Sequence, residues 1–233
     1  MMTASTSPLQ PPTFSRDPRG NTLLRWTVAD ELAGHRLMLC GPNEVAGQVC
    51  SAATQYVASP IGRARRDGWT HVLRAPGPVH ADIVGLLRLL TAVVTLPPPR
   101  DVGIAIALDW YKLAIDSVDP WSWPNTEVAE LVYRGKYARI DPARRNQAGR
   151  ELTRRICEAV RAHPPAKNAY GAGRRASIKN QFLVQDDLHS HCVLIVDDVY
   201  RSGTSMSEAG RAAMVAGASR AFGIAAARTR RSG

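Results

Sequence analysis

The chain divides into short apolar runs and longer segments with helical spacing of apolar positions. The run at 193–196 lacks polar alternation and is rich in β-branched residues, which predicts a strand buried on both faces. A further buried strand is predicted at 102–108, and strands are also predicted at 36–40 and 221–226. The longer segments predict helices at 22–33, 44–58, 81–94, 126–133, 141–161 and 205–216. We therefore expect an α/β protein with an α-rich N-terminal part and a mostly parallel sheet further on.

One C-terminal stretch carries the most information. It runs from 192 to 206 and contains the letters CVLIVDDVYRSGTSM. Its apolar run at 193–196 predicts a strand that is buried on both faces. Asp197 and Asp198, hereafter the acidic pair, follow where such a strand leaves the core. Polar residues at that position of a parallel sheet are candidates for function.

A helix is predicted directly after this stretch. Ser205 and Glu208 have the spacing of a capping box, which places the helix start at the serine. Gly217 predicts where the helix ends. Together with the strand predicted at 221–226, the stretch forms a βαβ unit of ordinary length.

The predicted loop between the acidic pair and the helix suits a phosphorylated sugar. A helix start leaves backbone N–H groups unpaired and carries partial positive charge, so it binds phosphate well. Ser202, Thr204 and Ser205 add hydroxyl donors, and Gly203 allows close approach. The two carboxylates can accept hydrogen bonds from sugar hydroxyls or hold a divalent cation. A Walker A motif and a G-x-G-x-x-G motif are both absent from this loop, which argues against a nucleoside triphosphate.

These residues resemble the phosphoribosyl pyrophosphate (PRPP) loop of type I phosphoribosyltransferases. The match covers the apolar run, the acidic pair and the Ser-Gly-Thr-Ser ending. Other stretches resemble the ComF-like (amidophosphoribosyltransferase-like) branch of that family: the Lys-Tyr segment at 133–137, the Arg-rich stretch at 174–182, and the chain end at 216–218 and 226–229. The resemblance is good near the C-terminus and weak before it.

The resemblance implies a Rossmann-like sheet of the type I phosphoribosyltransferase kind. It also implies transfer of a phosphoribosyl group from PRPP, with Mg²⁺, to a nitrogen nucleophile, with release of pyrophosphate. Asp197 and Asp198 would be the catalytic residues, binding the ribose hydroxyls directly or through the metal and its waters. Tyr200 and Arg201 would line the site, and Lys179 is a further candidate for contacting pyrophosphate. The 5-phosphate would be bound by Ser202, Gly203, Thr204 and Ser205.

The chain departs from the family in one place. The family fold needs four or five parallel strands and a second loop that holds the pyrophosphate. The segment at 162–176 is too short for a strand, a loop and a crossover helix, which need about thirty residues. Either the strands predicted at 102–108 and 37–40 complete the sheet, or the fold is curtailed and pyrophosphate binding is lost.

A second hypothesis is a protein that binds without catalysing. It is either a regulator that keeps the sugar-phosphate pocket, or a nucleic-acid-associated protein of the competence and DNA-uptake kind. The net charge of +10 fits a polyanionic substrate, nucleic acid or compositional bias, and does not choose among them. The arginines at 63–66 are interpreted as a solvated loop in preference to a nucleic-acid contact. The acceptor and the oligomeric state stay open.

The cysteines indicate neither a zinc ribbon nor a disulfide framework. They lie at positions 40, 50, 157 and 192 without a C-x-x-C pair, although many ComF-like proteins have an N-terminal zinc ribbon. Cys192 falls in the predicted buried strand and is expected to be a small core residue. Asp109, after the strand predicted at 102–108, is interpreted as a polar strand exit, with a functional role as the alternative.

Composition shifts divide the chain into three parts. The Pro, Ser and Thr content of 1–20 predicts a disordered tail. The three prolines at 97–99 predict a boundary between a region of unknown role at 21–99 and a phosphoribosyltransferase-like domain at 100–233. The N-terminus lacks the apolar core of a signal peptide, and no apolar stretch is long enough to span a bilayer. We expect a cytoplasmic protein with reduced thiols that does not bind membranes.

Overall fold

The computed structural model describes residues 22–31, 34–52, 58–62, 68–75, 77–97, 99–115, 117–137, 141–161 and 182–229. The tail predicted at 1–20, the arginines at 63–66 and Lys179 lie outside these ranges, as does most of the Arg-rich stretch at 174–182. The described residues form an α/β structure with two four-stranded sheets, one antiparallel and one mixed. Among the described helices, none is both long enough and apolar enough to cross a membrane.

The antiparallel sheet comes first in the chain and has the order β1-β2-β4-β3. Its strands and the helix between them are β1 (Arg25–Glu31), β2 (Gly34–Cys40), α1 (Asn43–Ala52), β3 (Ala58–Gly62) and β4 (His71–Ala75). Successive side chains of a strand point to opposite faces of the sheet, so one face of this sheet is apolar. On that face Leu37 of β2 and Leu73 of β4 are paired and fully buried. The helix predicted at 22–33 is wrong. Trp26 and Val28 of that segment lie two positions apart and pack on the core from a strand.

The mixed sheet has the order β5-β6-β8-β7, with β6 and β7 both parallel to β8 and β5 antiparallel to β6. Its strands are β5 (Val94–Thr95), β6 (Ile104–Trp110), β7 (Cys192–Tyr200) and β8 (Arg220–Arg228). The strand predicted at 102–108 therefore joins this sheet as β6, whereas 37–40 belongs to the antiparallel sheet. The mostly parallel sheet expected from the sequence is a mixed one, because the short β5 runs in the opposite direction.

Helices cover both faces of the mixed sheet. They are α2 (Ala81–Ala92), α3 (Glu127–Tyr137), α4 (Pro142–Arg161) and α5 (Thr204–Val215). Met206 of α5 packs with Ala225 of β8, and Val128 of α3 packs with Ala226, the next residue of the same strand. Because successive residues of a strand point to opposite faces, α5 and α3 lie on opposite sides of the sheet. The close approach of α5 depends on Gly223, since a Cβ there would lie 3.1 Å from Met206 Cε.

The two sheets share one hydrophobic core. A single buried cluster contains Leu37 of β2, Leu73 of β4, Leu86 of α2, Ile106 of β6 and Ile224 of β8. Described residues on both sides of the boundary predicted at 97–99 thus contribute to the same buried cluster. Burial of these side chains, each contributing roughly 1.5–3 kcal/mol, holds the antiparallel sheet against the mixed one.

Gln48 provides a test of the junction between the antiparallel and mixed sheets, because its side chain joins α1 to the mixed sheet. Its buried side chain donates from Nε2 to Leu96 O and to Ala105 O, each at 2.6 Å. We expect Gln48→Leu to lower the free energy of unfolding by about 1–3 kcal/mol, because Leu96 O loses its buried partner. Urea denaturation measures the change. The control Gly47→Ala on the exposed face of α1 has open space around its Cβ and should raise the free energy of unfolding by about 0.5–1 kcal/mol. An unchanged stability of Gln48→Leu would contradict this account of the junction.

Candidate functional site

The strand that carries the acidic pair lies at an edge. In the part of the chain that the structure describes, β7 pairs with β8 alone. Leu194 is 43% exposed, Val196 is 54% exposed, and Cys192 is exposed as well. The prediction of a strand buried on both faces, with Cys192 in the core, is therefore wrong. An unbroken apolar run does not reveal which strand takes the central place, and here β8 takes it.

The acidic pair lies within β7 and not beyond its end. Asp197 is paired with Ala225 in the register of β7 and β8. Its Oδ1 accepts the N–H of Asp198 at 2.9 Å, and Asp198 Oδ1 accepts the N–H of Val199 at 2.7 Å. Each carboxylate thus binds the amide of the residue that follows it. This holds both side chains close to the backbone at the carboxyl-terminal end of the strand.

A lysine from another element completes the acidic pair. Lys136 Nζ, in the last turn of α3, directly contacts Asp198 Oδ2. Partial burial raises the pKa of Asp197, and the charge of Lys136 acts on that pKa in the opposite direction. The ammonium therefore favours the ionised form of Asp197 while it is in contact with Asp198.

The helix after β7 starts without a side-chain cap. Its first residue is Thr204, and its N-cap residue is Gly203, in the left-handed region with φ +78°. The capping box predicted from Ser205 and Glu208 is wrong, because Ser205 lies inside the first turn. Glu208 instead accepts a hydrogen bond from Arg211 Nε at 3.0 Å. The predicted end of the helix is confirmed, since the N–H of Gly217 bonds back to the last turn.

A buried tyrosine supports the loop from below. Tyr200 is 5% exposed, and its hydroxyl donates to Pro97 O at 3.0 Å. A Cβ on Gly203 would lie 2.8 Å from Tyr200 Cζ, so the loop backbone rests directly on the ring. Tyr200, which the family resemblance places among the residues that line the site, has its ring beneath the loop. The Tyr200 ring limits how closely the loop backbone can approach the core, and glycine is required at position 203 above the ring.

The upper side of the loop presents hydrogen-bond donors. The backbone N–H groups of Thr204 and Ser205 precede the first intrahelical bond, in which Ser207 N–H donates to Gly203 O at 2.8 Å. Ser202 Oγ lies 2.8 Å from Thr204 Oγ1. Arg201, Ser202 and Ser205 are exposed, and Thr204 is half-buried. An uncapped helix start with hydroxyls on both sides can bind an anion.

Asp109 occupies the equivalent end of β6. It is paired with Ala227 of β8, which is paired on its other side with Val199 of β7. The side chain is 5% exposed, and burial raises its pKa. Its Oδ1 accepts the N–H of Trp110 at 2.7 Å. Asp109 thus lies buried within β6 and not beyond the end of the strand.

The acidic pair does not form a magnesium site by itself. Among the described residues, no three His, Cys, Asp or Glu side chains are grouped so that they could hold a metal ion. Two carboxylates and the phosphates of a ligand are an ordinary magnesium environment, but Asp198 Oδ2 is already in contact with Lys136. Coordination of a metal ion through Asp198 Oδ2 would first have to break that contact.

Two grooves of the described structure lie elsewhere. One, of about 910 Å³, runs between α3 and α4 and is lined by polar and basic side chains that include Arg134, Tyr137, Arg150 and Arg154. The other, of about 390 Å³, is apolar and lies between the end of α4 and the first half of β7. Neither of these two grooves is lined by residues 197–205.

A comparison of the chain with protein-family models, curated proteins and solved structures found no match. The resemblance to phosphoribosyltransferases therefore rests on the residues of the chain itself. No sequence motif assigns a role to Lys136, although the Lys-Tyr segment at 133–137 contains it. Contact between α3 and β7 depends on how the helix lies on the sheet, and no local motif encodes that.

Replacing Gly203 tests the support of the loop. We expect Gly203→Ala to lower the free energy of unfolding by at least about 1–2 kcal/mol, because a non-glycine residue is strained at this φ and its Cβ meets the Tyr200 ring. Chemical denaturation measures the effect. The matched control is Gly149→Ala on α4, where nothing lies within 4 Å of the added Cβ and stability should not fall. If both variants are as stable as the wild type, the loop does not rest on Tyr200.

Proposed function

We propose that the loop between β7 and α5 binds a phosphorylated pentose, and that the protein is a Rossmann-like phosphoribosyltransferase of the type I kind. The observation that carries the proposal is the uncapped start of α5 directly beside two carboxylates. Phosphate oxygens accept hydrogen bonds, whereas sugar hydroxyls can donate them. A ligand that carries both satisfies donors and acceptors that lie only a few residues apart.

Each part of the loop then has a distinct role. The amides of Thr204 and Ser205, together with nearby hydroxyls, bind the 5-phosphate at the positive end of the helix. Asp197 and Asp198 accept hydrogen bonds from the ribose hydroxyls, since ionised carboxylates are pure acceptors. The parallel pairing of β6 and β7 with β8, and the helices on both faces, support the Rossmann-like part of the proposal. Ligands of such sheets bind beyond the carboxyl ends of the strands.

The reaction that follows from the family resemblance is phosphoribosyl transfer from PRPP. The bond between the anomeric carbon and the pyrophosphate oxygen breaks, and pyrophosphate leaves with the electron pair. A nitrogen of the acceptor forms a new bond to the same carbon and loses a proton. The chain contributes positioning of the 5-phosphate and of the hydroxyls, and its carboxylates stabilise positive charge that develops on the ring.

The first experiment is a calorimetric titration with PRPP and with ribose 5-phosphate. We expect Asp197→Asn to weaken binding of both ligands by about tenfold or more, because a hydrogen bond to a charged group contributes roughly 1.5–3 kcal/mol. Asp186→Asn is the matched control. Asp186 is exposed in the segment that leads to the opposite end of the βαβ unit, where Leu188 N–H bonds Ala216 O at 2.8 Å.

Affinity that is unchanged in Asp197→Asn would remove the ribose assignment. Release of pyrophosphate from PRPP, measured with a panel of nitrogen nucleophiles, separates an enzyme from a binding protein. Tight binding without any release would leave the pentose site in place and remove the transferase.

A second candidate is a binding protein without transferase activity, associated with nucleic acid. The basic groove between α3 and α4 favours it, because Arg134 and Arg150 line the groove and Tyr133 and Tyr137 are exposed beside one another with ring centroids 5.1 Å apart. Arginines with exposed aromatic rings are typical of surfaces that bind single strands.

This candidate predicts a steep response to salt. We expect the affinity for a single-stranded oligonucleotide to fall at least tenfold between 50 and 200 mM salt, because bound phosphates release counter-ions as they are neutralised. Fluorescence anisotropy measures it. Replacement of Arg134 and Arg150 by alanine should flatten the dependence, while Arg211→Ala on α5, outside the groove, should leave it unchanged. Binding that is weak and indifferent to salt would dismiss the nucleic-acid candidate.

A further inference from the structure

A lysine side chain of the same protein lies against the acidic pair. Lys136 Nζ contacts Asp198 Oδ2, with 48% of the lysine side chain and 36% of the aspartate side chain exposed. Both groups thus lie at the surface of the candidate site, where a ligand can reach them. The contact joins α3 to β7, two elements that are far apart in the chain.

The position of Lys136 is set by the packing of its helix. Thr126 caps α3 by accepting the N–H of Ala129 at 3.1 Å, and it donates to Trp110 O at 2.6 Å at the end of β6. Val128 and Val132 pack with Ala226 of β8. The helix is therefore fixed to the same edge of the sheet at which β7 ends, and its last turn comes to lie beside Asp198.

The type of side chain is informative as well. Only four of the 30 Lys and Arg residues of the chain are lysines, and one of these lies against the acidic pair. An ammonium is a compact point charge, whereas a guanidinium is broad and planar. Arg134, two residues earlier on α3, lies 3.9 Å from Glu130 of its own helix instead. Of the two, the lysine is the closer equivalent of a metal ion.

A positive charge is needed here for an electrostatic reason. Two adjacent carboxylates repel the phosphate of any ligand that enters the neighbouring loop. A divalent cation removes this repulsion in many sites that bind phosphorylated compounds. In this chain Lys136 is already in contact with Asp198 and brings a positive charge to the acidic pair.

We infer that Lys136 is a built-in counter-ion of the acidic pair, and that it takes the place of a divalent cation when a phosphorylated pentose binds. The inference rests on the proposed function, which supplies the ligand. Beyond that function, we expect the pentose 5-phosphate part of the ligand to bind without Mg²⁺. The charge at position 136 then determines the affinity for this part of the ligand.

Titration calorimetry with ribose 5-phosphate tests the inference. This ligand lacks the pyrophosphate group of PRPP, which itself binds Mg²⁺. We expect the wild-type affinity in EDTA and in Mg²⁺ to agree within about twofold. Lys136→Met should bind about tenfold more weakly in EDTA, as expected for a lost charge-assisted contact, and Mg²⁺ should restore part of the loss. Lys136→Arg should retain most of the affinity in EDTA.

Arg88→Met is the matched control. It removes one positive charge from an exposed position of α2 without touching the acidic pair, so its affinity should equal that of the wild type. Thermal unfolding of each variant shows that the helix is intact. Rescue by Mg²⁺ is a readout that a purely structural role of Lys136 would not produce.

Three results would overturn the inference while leaving the pentose site in place: a wild-type affinity that requires Mg²⁺, an unchanged affinity of Lys136→Met in EDTA, or a tighter one. The last would identify Lys136 as a block on the site. Absence of ribose 5-phosphate binding in every variant and condition would instead remove the proposed function itself, and the inference with it.

Discussion

The position of β8 between two parallel neighbours is the constraint on which the rest of the site depends. Its hydrogen bonds to β6 on one side and to β7 on the other make both strands end at the same edge of the sheet. That edge therefore collects the acidic pair, Asp109 and the loop that leads into α5. Because α3 is anchored to the end of β6 through Thr126, the same constraint brings Lys136 to Asp198.

Binding chemistry at this edge comes from backbone that the loop leaves unpaired. The left-handed Gly203 begins α5 without a side-chain cap, and the buried Tyr200 ring lies directly beneath the loop. Hydrogen-bond donors of the loop therefore lie a few residues from the carboxylates. The proposed phosphorylated pentose would satisfy both kinds of group, so the proposal depends on this arrangement more than on the resemblance in sequence.

Local motifs predicted the parts of the fold that neighbouring residues determine. The βαβ unit, the α4 start at Asp141 and Pro142 and the end of α5 are found as predicted, because caps and apolar spacing act over a few residues. The edge position of β7, the strand at 25–31 and the contact of Lys136 were not predicted, since each depends on partners distant in the chain. An apolar run predicts that a strand is buried. Which elements bury it is determined only by the assembled sheet.

A crystal structure of the protein soaked with PRPP tests the central claim most directly, because it shows where the sugar phosphate lies. The account predicts the 5-phosphate within hydrogen-bonding distance of the amides of Thr204 and Ser205, with the ribose hydroxyls turned toward Asp197. A ligand ordered in the groove between α3 and α4, with the loop after β7 left empty, would contradict it.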